Sequence, residues 1–122
     1  MVTIKKGMTI STVQKKFNTA FPFLKLEFFK HPHKVYAGNS RKDQVAVSKI
    51  QNDQLKSKQD TDLVISGNLT VAAVEQLFME YFGLSVQVFR KSGKLWLETT
   101  LTDDWTLKKQ NEEGLELSNY KP

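Results

Sequence analysis

The chain reads as two copies of one pattern, and that repetition limits its fold more than any single motif does. VTIKKGMTISTVQKKFNTAFPFLKLEFFKHPHKVYA (residues 2–37) aligns with LVISGNLTVAAVEQLFMEYFGLSVQVFRKSGKLWL (residues 63–97). Thr9 falls on Thr70, Ile10 on Val71, Val13 on Val74, Phe17 on Phe78 and Phe21 on Phe82. A one-residue slip at Pro22-Phe23 against Gly83 then brings Leu24 onto Leu84, Leu26 onto Val86 and Phe28 onto Val88. Phe29 follows on Phe89, Lys30 on Arg90 and Val35-Tyr36 on Leu95-Trp96. A unit of about 60 residues buries too little apolar surface to stand alone. The halves, 1–61 and 62–122, are therefore expected to share one core in a single domain, 1–122.

Each unit has a readable physical form. Val2/Ile4 and Leu63/Ile65 alternate as short strands do. Thr9 and Thr70 suit helix N-caps, and Ser11 with Gln14 offers an alternative capping box. Ile10, Val13, Phe17, Ala20 and Phe21 recur at helical spacing, as do Val71, Val74, Phe78, Tyr81 and Phe82. Pro22 and Gly83 end these helices. A strand–turn–strand follows, with Ser92-Gly93 as the two-residue loop, which places Phe89 opposite Trp96 and Val88 opposite Leu97. Val86, Val88, Leu95 and Leu97 then share the helix-covered face. In the first half His31-Pro32-His33 takes the turn position, and Val35-Tyr36 opens the partner strand.

These elements predict an α+β fold. It consists of a duplicated β-α-β-β(-α) unit, with two helices on a mainly antiparallel sheet of about six strands and an approximate two-fold. More weakly, residues 43–52 (DQVAVSKIQN) match residues 103–111 (DDWTLKKQN), each a candidate short helix, though VAVSKI also suits a strand.

TLTDDWTLKKQN (residues 100–111) gathers carboxylates, hydroxyls and an indole as a site wall would. The plainer reading is a helix start: Thr102, Asp103 or Asp104 caps the first turn, and Lys108 and Lys109 lie toward the C-terminal end. Trp105 and Leu107 then anchor the helix to the core.

The net charge of +5 is unevenly spread. Residues 1–61 carry 12 Lys/Arg against 4 Asp/Glu, and residues 62–122 carry 6 against 9. A basic half invites phosphate contacts from Lys15, Lys16, Lys30, Lys34, Arg41 and Lys42, with Tyr36 or Phe29 available to stack. However, Lys15/Lys16 and Lys25 are expected to point in different directions, so any such binding should be weak and salt-sensitive. The chain has no cysteine, hence no disulfide and no thiolate site. No apolar run approaches membrane-spanning length, and the N-terminus lacks a signal-peptide core, so a cytoplasmic protein with no membrane contact is expected.

The run FGLSVQVFRKSGKLWLETTLTDDWTL, with its counterpart GMTISTVQKKFNTAFPFLKLEFF, resembles a small bacterial protein family of Bacteroidetes type with no assigned role. The resemblance implies a compact bacterial, cytoplasmic protein, and brings no activity, cofactor or catalytic residue.

No motif marks an enzyme. Phosphate-binding glycine loops and a nucleophile elbow are missing, and the adjacent pairs Asp103/Asp104 and Glu112/Glu113 diverge on a helix. His31 and His33 flank a proline at a turn without a third ligand, so no metal or other cofactor is expected. The leading expectation is a non-catalytic binding or adaptor protein, monomeric or homodimeric, that meets a partner protein through the sheet face or the groove between halves. Weak nucleic-acid binding and a small enzyme without a recognisable motif are the alternatives. The candidate partner patch is Phe29, Tyr36, Phe89 and Trp96, off the helix-covered face. Residues 43–52 and 103–111 are the segments expected to cover that face, since Trp105 would suit such packing.

Overall fold

The computed structural model describes residues 1–29 and 62–119. Strand β1 (Val2–Ile4) leads through a turn into helix α1 (Ile10–Ala20) and strand β2 (Leu24–Phe29). Strand β3 (Leu63–Ile65), helix α2 (Val71–Phe82) and strand β4 (Ser85–Ser92) repeat that order. Strand β5 (Leu95–Glu98), a 3-10 turn (Thr100–Thr102) and helix α3 (Leu107–Asn119) complete the described chain.

Strands that align in sequence pair with each other in space. β1 runs antiparallel to β3, with Val2 opposite Ile65 and Ile4 opposite Leu63. β2 runs antiparallel to β4, with Leu26 opposite Val88 and Phe28 opposite Val86. The described strands form two sheets, β1-β3 and β2-β4-β5, rather than one sheet of about six. The reason is local: β1 and β3 span three residues each before the chain turns into the helix caps, and among the described residues they pair with one another alone. Val35-Tyr36 and residues 43–52 lie outside the described residues.

The two helical stripes meet over β2 and β4. Phe17 and Phe78 are fully buried, Phe21 and Phe82 nearly so, and all four belong to one core with Leu24, Leu26, Phe28, Val86 and Val88. Phe28 meets Phe78 edge-on at 5.8 Å between ring centres. Such contacts add about 0.5–1.5 kcal/mol to the burial itself. Ala20, at a stripe position, is exposed. Thr9 and Thr70 cap their helices, their hydroxyls accepting from the Thr12 and Ala73 N–H groups at 3.1 Å. Gln14 takes no part in a capping box; its amide donates to the Leu26 carbonyl instead. Gly83 ends α2 at φ +66°, a conformation that costs glycine little.

The β4–β5 hairpin turns one residue later than expected. Its loop is Gly93-Lys94, with Ser92 opposite Leu95, Lys91 opposite Trp96 and Phe89 opposite Glu98. Gly93 supplies the positive φ (+61°) at the first loop position, which such a turn requires. This moves each β4 residue's partner two places along β5, so side-chain parity is kept while contacts change. Leu97 now faces Arg90, not Val88. Leu95 and Leu97 are accordingly 66% and 42% exposed rather than buried.

Helix α3 is longer than the sequence suggests and starts later. Its cap is Thr106, whose hydroxyl accepts from the Lys109 N–H at 3.1 Å, so none of Thr102, Asp103 and Asp104 caps it. Lys108 and Lys109 therefore lie in its first turn rather than near its end. The N-termini of α2 and α3 cap each other. Val71 and Ala72 donate to the carbonyls of Trp105 and Asp103 at 3.0 and 2.8 Å, and Leu107 and Lys108 donate to those of Leu69 and Gly67 at 2.9 and 3.0 Å. With the threonine hydroxyls, these bonds satisfy the orphan donors of both first turns. Gly114 lets α3 close on the sheet: a Cβ there would lie 2.7 Å from Phe23 Cβ and 3.3 Å from the Lys91 carbonyl.

Candidate functional site

Odd-numbered residues of β2 and β4 face away from the helices, and β5 adds Trp96 to that face. Lys25 crosses it: its ammonium lies 5.5 Å from the Phe89 ring centre and 4.9 Å from that of Trp96. Its stem covers apolar surface while Glu27, 3.4 Å away, holds the charged tip. Trp96 and Phe89 are both half-buried, so each ring keeps a solvent-facing part. A groove of ≈ 390 Å³ adjoins them, lined by Gln14, Lys15 and Asn18 of α1, by Lys25 and Glu27 of β2, and by Trp96. The combination offers stacking surface, two ammonium groups and one carboxylate within one concavity. Each cation–ring contact is worth roughly 0.5–1 kcal/mol at such exposure.

Phe29, placed in the same candidate patch by sequence, is not part of the open surface. It is 5% exposed, opposite Ser85 and near Gln87, which are 6% and 0% exposed. That end of the face is covered, and only the end bearing Phe89 and Trp96 is open. Residues 103–111 are not the cover expected for it. Trp105 lies at Arg90, an even position of β4 on the helix side, with the Arg90 guanidinium 5.7 Å and the Lys109 ammonium 4.2 Å from its ring centre. Tyr36 lies outside the described residues, as do His31, His33, Lys30, Lys34, Arg41 and Lys42.

The stretch from Thr100 to Asn111 is mainly internal architecture. Gln110 is fully buried; its Oε1 accepts from Arg90 Nη1 at 2.9 Å, and its Nε2 donates to the carbonyl and hydroxyl of Thr102 at 2.8 Å each. Leu107 is fully buried as the anchor, while Trp105 stays half-buried under its two cations. Asn111 accepts from the Phe23 N–H at 2.9 Å and ties α3 to the start of β2.

Beside this network sits Glu75, on α2. Burial pushes its carboxyl up to about 8; Asp103 and Glu98 push the same way, while a hydrogen bond to the Val88 backbone opposes them. Among the described residues no three acidic or histidine side chains converge as a metal site. Sequence reasoning missed Glu75 and Gln110, and considered Lys25 only as a phosphate contact, not as a side chain that reaches Phe89 and Trp96. Glu75 could have been found, since it lies four residues after Val71 and three before Phe78, inside the apolar stripe.

Lys15 and Lys16 are exposed on α1 and line a second groove of ≈ 680 Å³ with Met1, Val2, Thr3 and Thr12. Lys15 borders both grooves and so shares a concavity with Lys25, whereas Lys16 lines only the second. Among the described residues no helix is long and apolar enough to cross a membrane. No protein-family model, no curated protein and no solved structure matches the chain.

Proposed function

We propose that the chain is a small non-catalytic binding module, built from two fused copies of one unit about an approximate two-fold axis, that holds a partner protein against its open sheet face. The observation that carries this reading is the half-exposed pair Phe89 and Trp96, bridged by Lys25 beside a groove. A solvent-facing indole ringed by polar groups is the composition of a contact hot spot. Lys25 and Glu27 would set the orientation of an incoming chain, and the rings would supply contact area.

The test is affinity capture with the full chain as bait, comparing wild type, Trp96→Ala and Leu101→Ser. Leu101 is 85% exposed and is not among the residues lining the groove. A partner held by wild type and Leu101→Ser, but depleted about tenfold with Trp96→Ala, supports the reading. Equal capture by all three baits refutes it.

A second reading is favoured by the placement of Lys15 between two grooves. In it, Lys15, Lys16 and Lys25 contact phosphates while Trp96 stacks a base. Labelled single-stranded oligonucleotides titrated at low and physiological salt separate the two readings. Binding that is lost at physiological salt marks it as non-specific, and submicromolar binding that survives there would make nucleic acid the partner.

A further inference from the structure

The two edges of the three-stranded sheet are treated differently. On β2 the Leu24 and Leu26 carbonyls point outward and are taken by Asn18 Nδ2 at 2.9 Å and Gln14 Nε2 at 3.0 Å, so α1 blocks that edge. Just past β5 the Thr99 N–H turns inward to the Val88 carbonyl at 3.3 Å. By antiparallel alternation, Leu97 and Leu95 also turn their backbone groups toward β4, and Trp96 and Glu98 turn theirs outward. No strand of the described residues pairs with that edge. Exposed edges are usually blunted by charge or by a covering element.

The charges at this edge are arranged to accept a copy of themselves. Residues 94–98 read KLWLE. Laid antiparallel on its own copy with Trp96 at the centre, this segment sets Leu95 against Leu97 and brings Lys94, the loop residue that leads into β5, beside Glu98, twice each. The outward backbone groups of Trp96 then meet their counterparts, and the hydrogen-bonding positions match. Leu95 and Leu97, 66% and 42% exposed in the single chain, would shield each other on the helix side.

We propose that the chain associates through β5 with a second copy, giving a continuous sheet in the order β2-β4-β5-β5-β4-β2 with the two Trp96 side chains side by side on its open face. This goes beyond the binding reading and does not depend on it. A contact five residues long is smaller than a standard interface of about 1,600 Å², so the affinity should be modest, on the order of 10 µM.

Sedimentation velocity from about 5 to about 500 µM brackets that affinity. Wild type should shift from monomer to dimer across the range. Lys94→Glu brings two carboxylates together at each end of the paired segment, and Glu98→Lys brings two ammonium groups together there. Each variant alone should weaken self-association at least about tenfold. Mixed in equal amounts, the two variants restore opposite charges at both ends, and dimer should return to near the wild-type level as a heterodimer. Both side chains are exposed, and circular dichroism verifies that each variant is folded. Wild type that stays monomeric throughout, single variants that dimerise undiminished, or a mixture that stays monomeric would each overturn the proposal.

Discussion

Replacing Glu75 by glutamine should make the protein more stable, and increasingly so as pH rises. The Glu75 carboxyl titrates near 8 in the folded chain against 4.5 as the ordinary value. Between those limits the folded state binds more protons than the unfolded one, so stability is full below pH 4.5 and falls as pH rises toward 8. Each pH unit in that window costs about 1.4 kcal/mol, so going from pH 5 to pH 8 removes about 4 kcal/mol if the carboxyl is sealed from water. It is only mostly buried, and solvent screening should leave about half of that, on the order of 2 kcal/mol. Glutamine keeps the shape and can still accept a hydrogen bond, but does not titrate. Urea denaturation of both proteins at several pH values reads the difference directly, and other groups that titrate in this range cancel in the comparison. The variant should match wild type near pH 5 and exceed it by about 2 kcal/mol near pH 8. A constant gap, or a wild type that gains on the variant as pH rises, would show that Glu75 is ionised in the folded chain and that the acidic neighbourhood of Asp103 and Glu98 is well hydrated.

Three further outcomes are expected. Phe78→Ala should lose about 3–5 kcal/mol in the same denaturation assay, as a fully buried aromatic truncation does; a loss below about 1 kcal/mol would mean the helix face is loosely packed. Gly114→Ala should destabilise by about 1–3 kcal/mol despite alanine's better helix propensity of about 1 kcal/mol, because Phe23 Cβ and the Lys91 carbonyl leave no room for a methyl; a thermal scan showing stabilisation would refute the close approach. Gln110→Ala strands the Arg90 guanidinium, since the Thr102 carbonyl keeps the Trp105 N–H, and should cost about 1–3 kcal/mol by urea titration, with Gln110→Glu recovering part of it through a charged partner for Arg90.

The repeated apolar stripes were legible because their spacing follows backbone geometry alone. Thr9 and Thr70 as caps, Gly83 as a terminator and the phenylalanine core could all be read from periods of helix and strand. The hairpin register could not, since Ser92-Gly93 and Gly93-Lys94 both place the same glycine in the loop, and only the three-dimensional twist selects between them. Ser92 pairing with Leu95 then carried Leu97 from Val88 to Arg90, an outcome invisible to alternation, which survives a two-residue shift unchanged. The start of α3 was misplaced for a similar reason. Thr102, Asp103, Asp104 and Thr106 all carry side-chain acceptors suited to a cap, and tertiary hydrogen bonds from α2 to the 103 and 105 carbonyls select Thr106. At the candidate site, Phe89 and Trp96 were placed on one face from parity, whereas the role of Lys25 depends on a side chain reaching across strands, which no linear spacing encodes.

The mutual capping of α2 and α3 has a consequence for how the molecule opens. The amides of Val71 and Ala72 are held by the loop that leads into α3, and those of Leu107 and Lys108 by the loop that leads into α2. First-turn amides normally exchange with solvent early, because a helix end frays at little cost. Here neither end can fray without releasing the other, so these four amides should exchange together and at one rate, nearer to that of the core strands than to that of a helix terminus. The last turn of α3, by contrast, should exchange freely, so protection would run opposite to the usual pattern in which both ends of a helix are equally labile.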